Sequence, residues 1–213
     1  MKKSQTIIKY KNFKERKDHF MSTWAENIIN GFSLYLDLLP LIFIITAFFV
    51  CVKKGSIRPV QFIGTQCLVL YLICLINMVL FPLPGIEEIS ELHGYTGQFT
   101  PFNFITDIAK DKTAESVLQV LLNILMTVPF GFFLKFFLDM KIRNIIIATF
   151  LFSLLIELAQ LTGLFFIYPG SYRLFDVDDL MTNTLGGFLG TVVANTLNDL
   201  LPYLDKNAYV RLG

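Results

Sequence analysis

The chain has 213 residues, of which 54% are hydrophobic and 16% charged, with a formal net charge of +1 and a mean hydropathy of +0.59. A soluble domain carries about 25% charged residues, so there is too little polar surface here to coat a water-soluble globule, and a bilayer is the natural solvent. The small net charge gives no argument for a nucleic-acid partner, and no motif resembles a module that binds DNA or RNA.

Residues 1–31 form a basic segment with Lys2, Lys3, Lys9, Lys11, Lys14, Arg16 and Lys17. The first long apolar run starts only near Gly31, and no small-residue cleavage site follows it, so the segment does not read as a signal peptide. Phe20, Trp24 and Ile28 recur at i, i+4 and i+8, the pattern of a helix lying in the membrane interface. Five segments then approach the roughly 20 residues that a span requires. They run from about Phe32 to Val52, Gln61 to Leu83, Val117 to Leu138, Asn144 to Ile167 and Asp176 to Leu200. The fold class is therefore all-α: a polytopic integral membrane helical bundle of about five transmembrane helices over residues 32–200, with a C-terminal tail at 201–213.

The connections suggest a sidedness. Lys53, Lys54 and Arg58 follow the first span, and Lys141 and Arg143 follow the third. The positive-inside rule puts both connections in the cytoplasm, and two intervening spans make them agree. The long acidic loop from Pro82 to Ser116 then lies outside, with the short loop from Tyr168 to Phe175. An odd number of spans leaves the basic N-terminus on the disfavoured side unless residues 18–30 return the chain. The three cysteines, Cys51, Cys67 and Cys74, read as small apolar residues of the bilayer. His19 and His93 read as solvated loop residues.

An ionisable or amide side chain in a span is costly and is a candidate site residue for that reason. On the fifth segment, at about 100° per residue, Asp176, Asp179, Asn183, Gly187 and Gly190 fall on one stripe. Asp176 also fits an N-cap. Small residues in the stripe allow close helix packing. On the fourth, Thr149, Ser153, Glu157 and Gln160 share a face. Glu157 must face the bundle or find a partner, and Arg173 in the following loop is the nearest cation. On the third, Gln119, Asn123 and Thr127 recur at i, i+4, before Pro129 and Gly131. Asn123 reads either as an interhelical hydrogen bond or as part of the same polar pocket.

The order NILMTVPFGFF, IELAQ, RLFDVDDLMTNTLGG resembles the VanZ-like family over about residues 98–195. That family shows Glu-x-x-Gln on one helix, a short loop ending in Arg, and Asp-x-x-Asp-x-x-x-Asn-x-x-Gly opening the next helix. Here these are Glu157 and Gln160, Arg173, and Asp176, Asp179, Asn183 and Gly186. The upstream Asn, Pro and Gly are Asn123, Pro129 and Gly131, and a Pro-Phe pair is Pro101 and Phe102. The family's Asn just before that pair is missing, and Gln98 and Thr100 occupy the stretch. The resemblance implies a multi-pass protein of the cell membrane. It also links the chain to resistance to teicoplanin, a lipoglycopeptide that binds cell-wall precursors at the outer face of Gram-positive membranes.

Three functions follow. In the first, a polar pocket at the outer leaflet binds, or alters access to, a lipid-linked or lipid-tailed ligand, with membrane lipids, a cell-wall precursor or the lipoglycopeptide as partner. In the second, a membrane enzyme acts on a lipid or polyprenyl head group, with Glu157, Asp176 and Asp179 as acid and base or as ligands of a divalent cation with Asn183. In the third, a small transporter uses Glu157 as a proton relay, although no inverted repeat is visible. No dedicated metal or cofactor site is expected, and catalysis is left open. The pocket candidates are Glu157, Gln160, Arg173, Asp176, Asp179, Asn183 and Asn123.

Overall fold

The computed structural model describes residues 25–46, 59–81, 97–111, 114–167, 171 and 173–200. Among these, seven helices are joined by one minimal strand pair. They are α1 (Ala25–Thr46), α2 (Pro59–Leu80), β1 (Gly97–Gln98), α3 (Asn103–Asp111), α4 (Ala114–Phe136), α5 (Ile142–Leu161), the single turn α6 (Gly163–Phe166), β2 (Phe175–Asp176) and α7 (Val177–Leu200). Four helices are long and apolar enough to cross a bilayer: α1, α2, α4 and α5. The protein is an all-α membrane protein. The fifth expected span falls on the helix α7, which is not one of these four. Its 24 residues would reach about 36 Å at about 1.5 Å per residue, but it is less apolar than the four.

That difference in composition follows from where α7 sits. It packs most extensively on α4 and next on α5, and it buries Asn183, Gly186, Gly187, Gly190, Thr191 and Ala194. A helix covered by neighbours need not be greasy all round. At the α4–α7 contact the backbones meet. A Cβ added at Gly131 would collide with the Gly187 carbonyl, one at Gly186 with the Ile124 carbonyl and the Thr127 hydroxyl, and one at Gly190 with the Val128 carbonyl. Thr127, fully buried, donates to the Asn183 carbonyl at 2.7 Å across this seam. Near the far end of the seam, the rings of Phe132 and Phe136 stack at 5.1 Å, and Phe136 packs with Ala194.

Several boundaries differ from the sequence reading. The first span begins at Ala25 instead of Phe32, so Ile28 belongs to α1, which the sequence had placed in an interfacial segment; Phe20, Trp24 and the rest of 1–24 lie outside the described residues. The basic residues of 47–58, the acidic residues Glu87, Glu88 and Glu91, and the tail 201–213 also lie outside them. The fourth span stops at Leu161, six residues before the expected end. Gly163 takes φ 60° and opens a left-handed turn through Phe166, as glycine after a helix C-cap commonly does. Thr162 secures the turn, its Oγ1 donating to the Leu158 carbonyl at 2.6 Å and accepting from Phe165 N at 3.0 Å.

The α1–α2 pair attaches at one side. Asn27 donates to the Phe81 carbonyl at 2.7 Å, and Tyr35 to Gln66 Oε1 at 3.2 Å. Tyr71 of α2 donates to the Met126 carbonyl of α4 at 2.7 Å. The parallel pair β1–β2 aligns Gly97 with Phe175 and Gln98 with Asp176, tying the loop before α3 to the entrance of α7.

The seam makes a prediction. Gly190→Leu places a branched side chain against backbone, and overpacking of this kind costs about 1–3 kcal/mol or more. Melting of the purified protein in detergent is expected at a clearly lower temperature than wild type, whereas Val193→Leu, on the exposed face of the same helix, leaves it unchanged.

Candidate functional site

The site forms at the end of the bundle where α2 and α5 finish and α4 and α7 begin. On α5 the buried positions Ile145, Thr149, Ser153, Glu157 and Gln160 recur at three- and four-residue steps, so the sequence itself turns its polar face inward. On α7 the same spacing carries Asp179 and Asn183. Close packing at the glycines brings Asn123 of α4 alongside, and its Nδ2 donates to Asp179 Oδ1. All seven sequence candidates line one cavity of about 220 Å³. Met78, Val79, Met126, Ile156 and Leu174 supply apolar wall.

The polar groups are held individually. Glu157, 2% exposed, accepts from the Asp176 backbone N–H at 3.0 Å. Gln160 Nε2 and Arg173 Nη1 both donate to the carbonyl of Val79, at 3.0 and 2.9 Å. That carbonyl lies in the last turn of α2, where helical partners run out, so the helix end is capped by the site. The expected Glu157–Arg173 ion pair is not formed. The Val79 carbonyl takes the Arg173 guanidinium, and the backbone N–H of Asp176 takes the Glu157 carboxylate. Arg173 stays exposed and lines the cavity. Asn183, 2% exposed, donates to Ser153 Oγ at 2.8 Å, and its Oδ1 is buried without a hydrogen-bond partner.

A second, smaller cavity of about 150 Å³ adjoins the first. It shares Gln119, Asp176 and Asp179 with it and adds Asp107, Asp178 and Thr182. Asp176, which precedes α7, plays the expected capping role: its Oδ1 accepts from Asp178 N at 2.8 Å. Burial lifts its carboxyl above the ordinary range, the Asp178 N–H opposes this, and the charges of Asp178 and Asp107 add to the rise. Among the described residues, no three His, Cys, Asp or Glu side chains converge as a metal-ligand set.

The sequence reading passed over Asp178. The helical stripe takes in the neighbours at 176 and 179 and leaves Asp178 out, yet Asp178 is 4% exposed and holds neighbouring backbone. It accepts from Phe102 N at 2.6 Å and Phe104 N at 2.8 Å, so a carboxylate in the first turn of α7 also caps α3. Phe102 has φ 63°, a strained conformation for a non-glycine residue that must be held from outside. Gln98, which stands near the missing family Asn, donates to Asp178 Oδ2 at 3.3 Å and Asp176 Oδ1 at 3.4 Å. A Phe99–Phe175 stack at 5.3 Å closes this corner. The DVDD run was the available signal, since an acidic residue in a first helical turn is a cap candidate.

This arrangement predicts a local effect. Asp178→Ala removes the acceptor of two N–H groups, a loss of about 1–2 kcal/mol by analogy with an N-cap. Hydrogen–deuterium exchange is expected to speed up over residues 98–106 and to stay unchanged along the α4–α7 seam.

The profile of the VanZ/LLP1 family matches residues 68–198, more than half of the 213 residues. No curated protein and no solved structure matches the chain. The matched stretch begins within α2, further toward the N-terminus than the motif region at 98–195, and so takes in Val79, whose carbonyl receives Gln160 and Arg173. With the motif residues of α4, α5 and α7 gathered around one cavity, and with that match across them, the chain belongs to the VanZ/LLP1 family.

Proposed function

We propose that the cavity binds the head group of a lipid-linked ligand at the outer leaflet of the cell membrane, and that this binding contributes to resistance to lipoglycopeptides such as teicoplanin. The observation that carries the reading is the pairing of one exposed guanidinium, Arg173, with a cavity of buried amides and carboxylates and apolar walls. Guanidinium presents a planar fork of N–H donors suited to phosphate or carboxylate. At about 220 Å³ the cavity falls below the roughly 300–1,000 Å³ typical of drug-sized pockets. It suits a head group whose chains remain in the bilayer, and a whole lipoglycopeptide is too large for it. In this reading the protein acts on what the drug recognises or on access to it.

The orientation belongs to the same proposal. α7 crosses as a fifth span, and the cavity faces outward. Lys141 and Arg143 lie at the opposite end of α4 and α5 from the cavity, which is the cytoplasmic end by the positive-inside rule. A second reading, a membrane enzyme acting on such a head group, is favoured by one observation: Glu157, Asp176 and Asp179 all line the cavity. Turnover of a lipid by purified protein would select it.

Two outcomes are expected. In a susceptible Gram-positive host, wild type lowers teicoplanin susceptibility and surface binding of labelled drug, and a Glu157→Gln, Asp179→Asn double variant present at equal membrane level does neither. Arg173→Ala lowers affinity for a short-chain anionic phospholipid by about tenfold, roughly the lower end of what a charge-assisted hydrogen bond is worth, with Tm in detergent nearly unchanged. No change in susceptibility with the wild-type chain would sink the resistance reading.

A further inference from the structure

We propose that the head group recognised by this cavity carries a primary amine as well as a phosphate, with the phosphate on Arg173 and the ammonium directed at Asn183 and Asp179. The inference rests on the head-group reading above and deepens it. It begins from Asn183 Oδ1, an acceptor in a residue 2% exposed, on the cavity lining, with no partner. Native structures contain few such orphaned acceptors, because each forfeits the water it bonded to in the unfolded chain. The Asn183 Nδ2 donates to Ser153 Oγ, and its backbone carbonyl accepts from the Thr127 hydroxyl. A ligand donor satisfies Oδ1.

The neighbours say which donor. Three carboxylates, Glu157, Asp176 and Asp179, line the cavity against one guanidinium. A head group with only negative charge finds one favourable partner and several unfavourable ones. A head group with phosphate at one end and ammonium at the other meets opposite charge at both. An ammonium has three N–H donors and no acceptor, which fits an acceptor-rich recess. A quaternary ammonium has the charge without the donors and leaves Asn183 Oδ1 unsatisfied. A polyol has donors without the charge.

The test is equilibrium binding to the purified full-length protein of four short-chain phospholipids with identical tails: phosphatidylethanolamine, phosphatidylcholine, phosphatidylglycerol and phosphatidic acid. Phosphatidylethanolamine is expected to bind at least tenfold more tightly than each of the others. Asn183→Leu is expected to erase that preference, with residual binding that still depends on Arg173. Equal binding of all four overturns the amine inference and leaves the head-group reading standing. Equal binding of the ethanolamine and choline lipids, both above the other two, overturns the role given to Asn183. Binding of none of them overturns both the inference and the head-group reading. The wild-type series decides these outcomes whether or not the variant folds.

Discussion

Backbone-to-backbone contact between α4 and α7 is the constraint from which the rest of this molecule follows. In a bilayer, apolar side chains gain nothing by leaving lipid for one another, so helices associate through close packing and hydrogen bonds. Gly131, Gly186 and Gly190 remove the side chains that would hold the two axes apart, and Gly187 does the same toward Thr149 of α5. The Thr127 hydroxyl then reaches the Asn183 carbonyl. One turn further along, the same proximity puts Asn123 within hydrogen-bonding distance of Asp179. A wider spacing would leave these groups facing hydrocarbon, where each is expensive.

The polar end of the bundle divides into two functions carried by adjacent residues. Asp178 faces the loop and organises it, taking the N–H groups of Phe102 and Phe104 and the amide of Gln98. Asp176 and Asp179 line both cavities, whereas Asp178 lines only the smaller one. The three aspartates of one short run thus point in different directions because α7 starts between them. Asp176 is still extended and pairs with Gln98 in the strand register, and the helical rotation separates Asp178 from Asp179 by about 100°. Substitutions along this run therefore carry different meanings. One at 178 acts on the loop, and one at 179 acts within the cavity.

Capping of α2 by the site has a similar economy. Gln160 and Arg173 come from α5 and the loop after it, yet both end on the Val79 carbonyl. A helix terminus that needed donors and a cavity that needed positioned donors meet in one atom. This also explains why Glu157 and Arg173, near each other and of opposite charge, are not paired. The guanidinium satisfies a helix carbonyl, and the carboxylate satisfies the N–H of Asp176. In the proposed function that division leaves the exposed guanidinium available to an anionic head group.

The amino-acid sequence by itself determined the membrane class, the long helices and the inward faces of α5 and α7, but not α3, which lies in a stretch that reads as loop. These rest on local quantities: runs of apolar residues, a period of 3.6 and the cost of burying polar groups. It also carried the motif order by which the family is recognised. Helix ends were less legible, as at Thr162 and Gly163, where an apolar stretch continues but the backbone turns left-handed. The partners of the polar groups were decided only by tertiary structure. Nothing in the spacing of Arg173 points to Val79, which is distant in sequence, and nothing local marks Asp178 as the cap of a helix that precedes it in the chain. Hydrogen bonds are short-ranged and directional, so an atom's partner is fixed by where whole helices pack, and here the packing of α7 between α4 and α5 made those assignments.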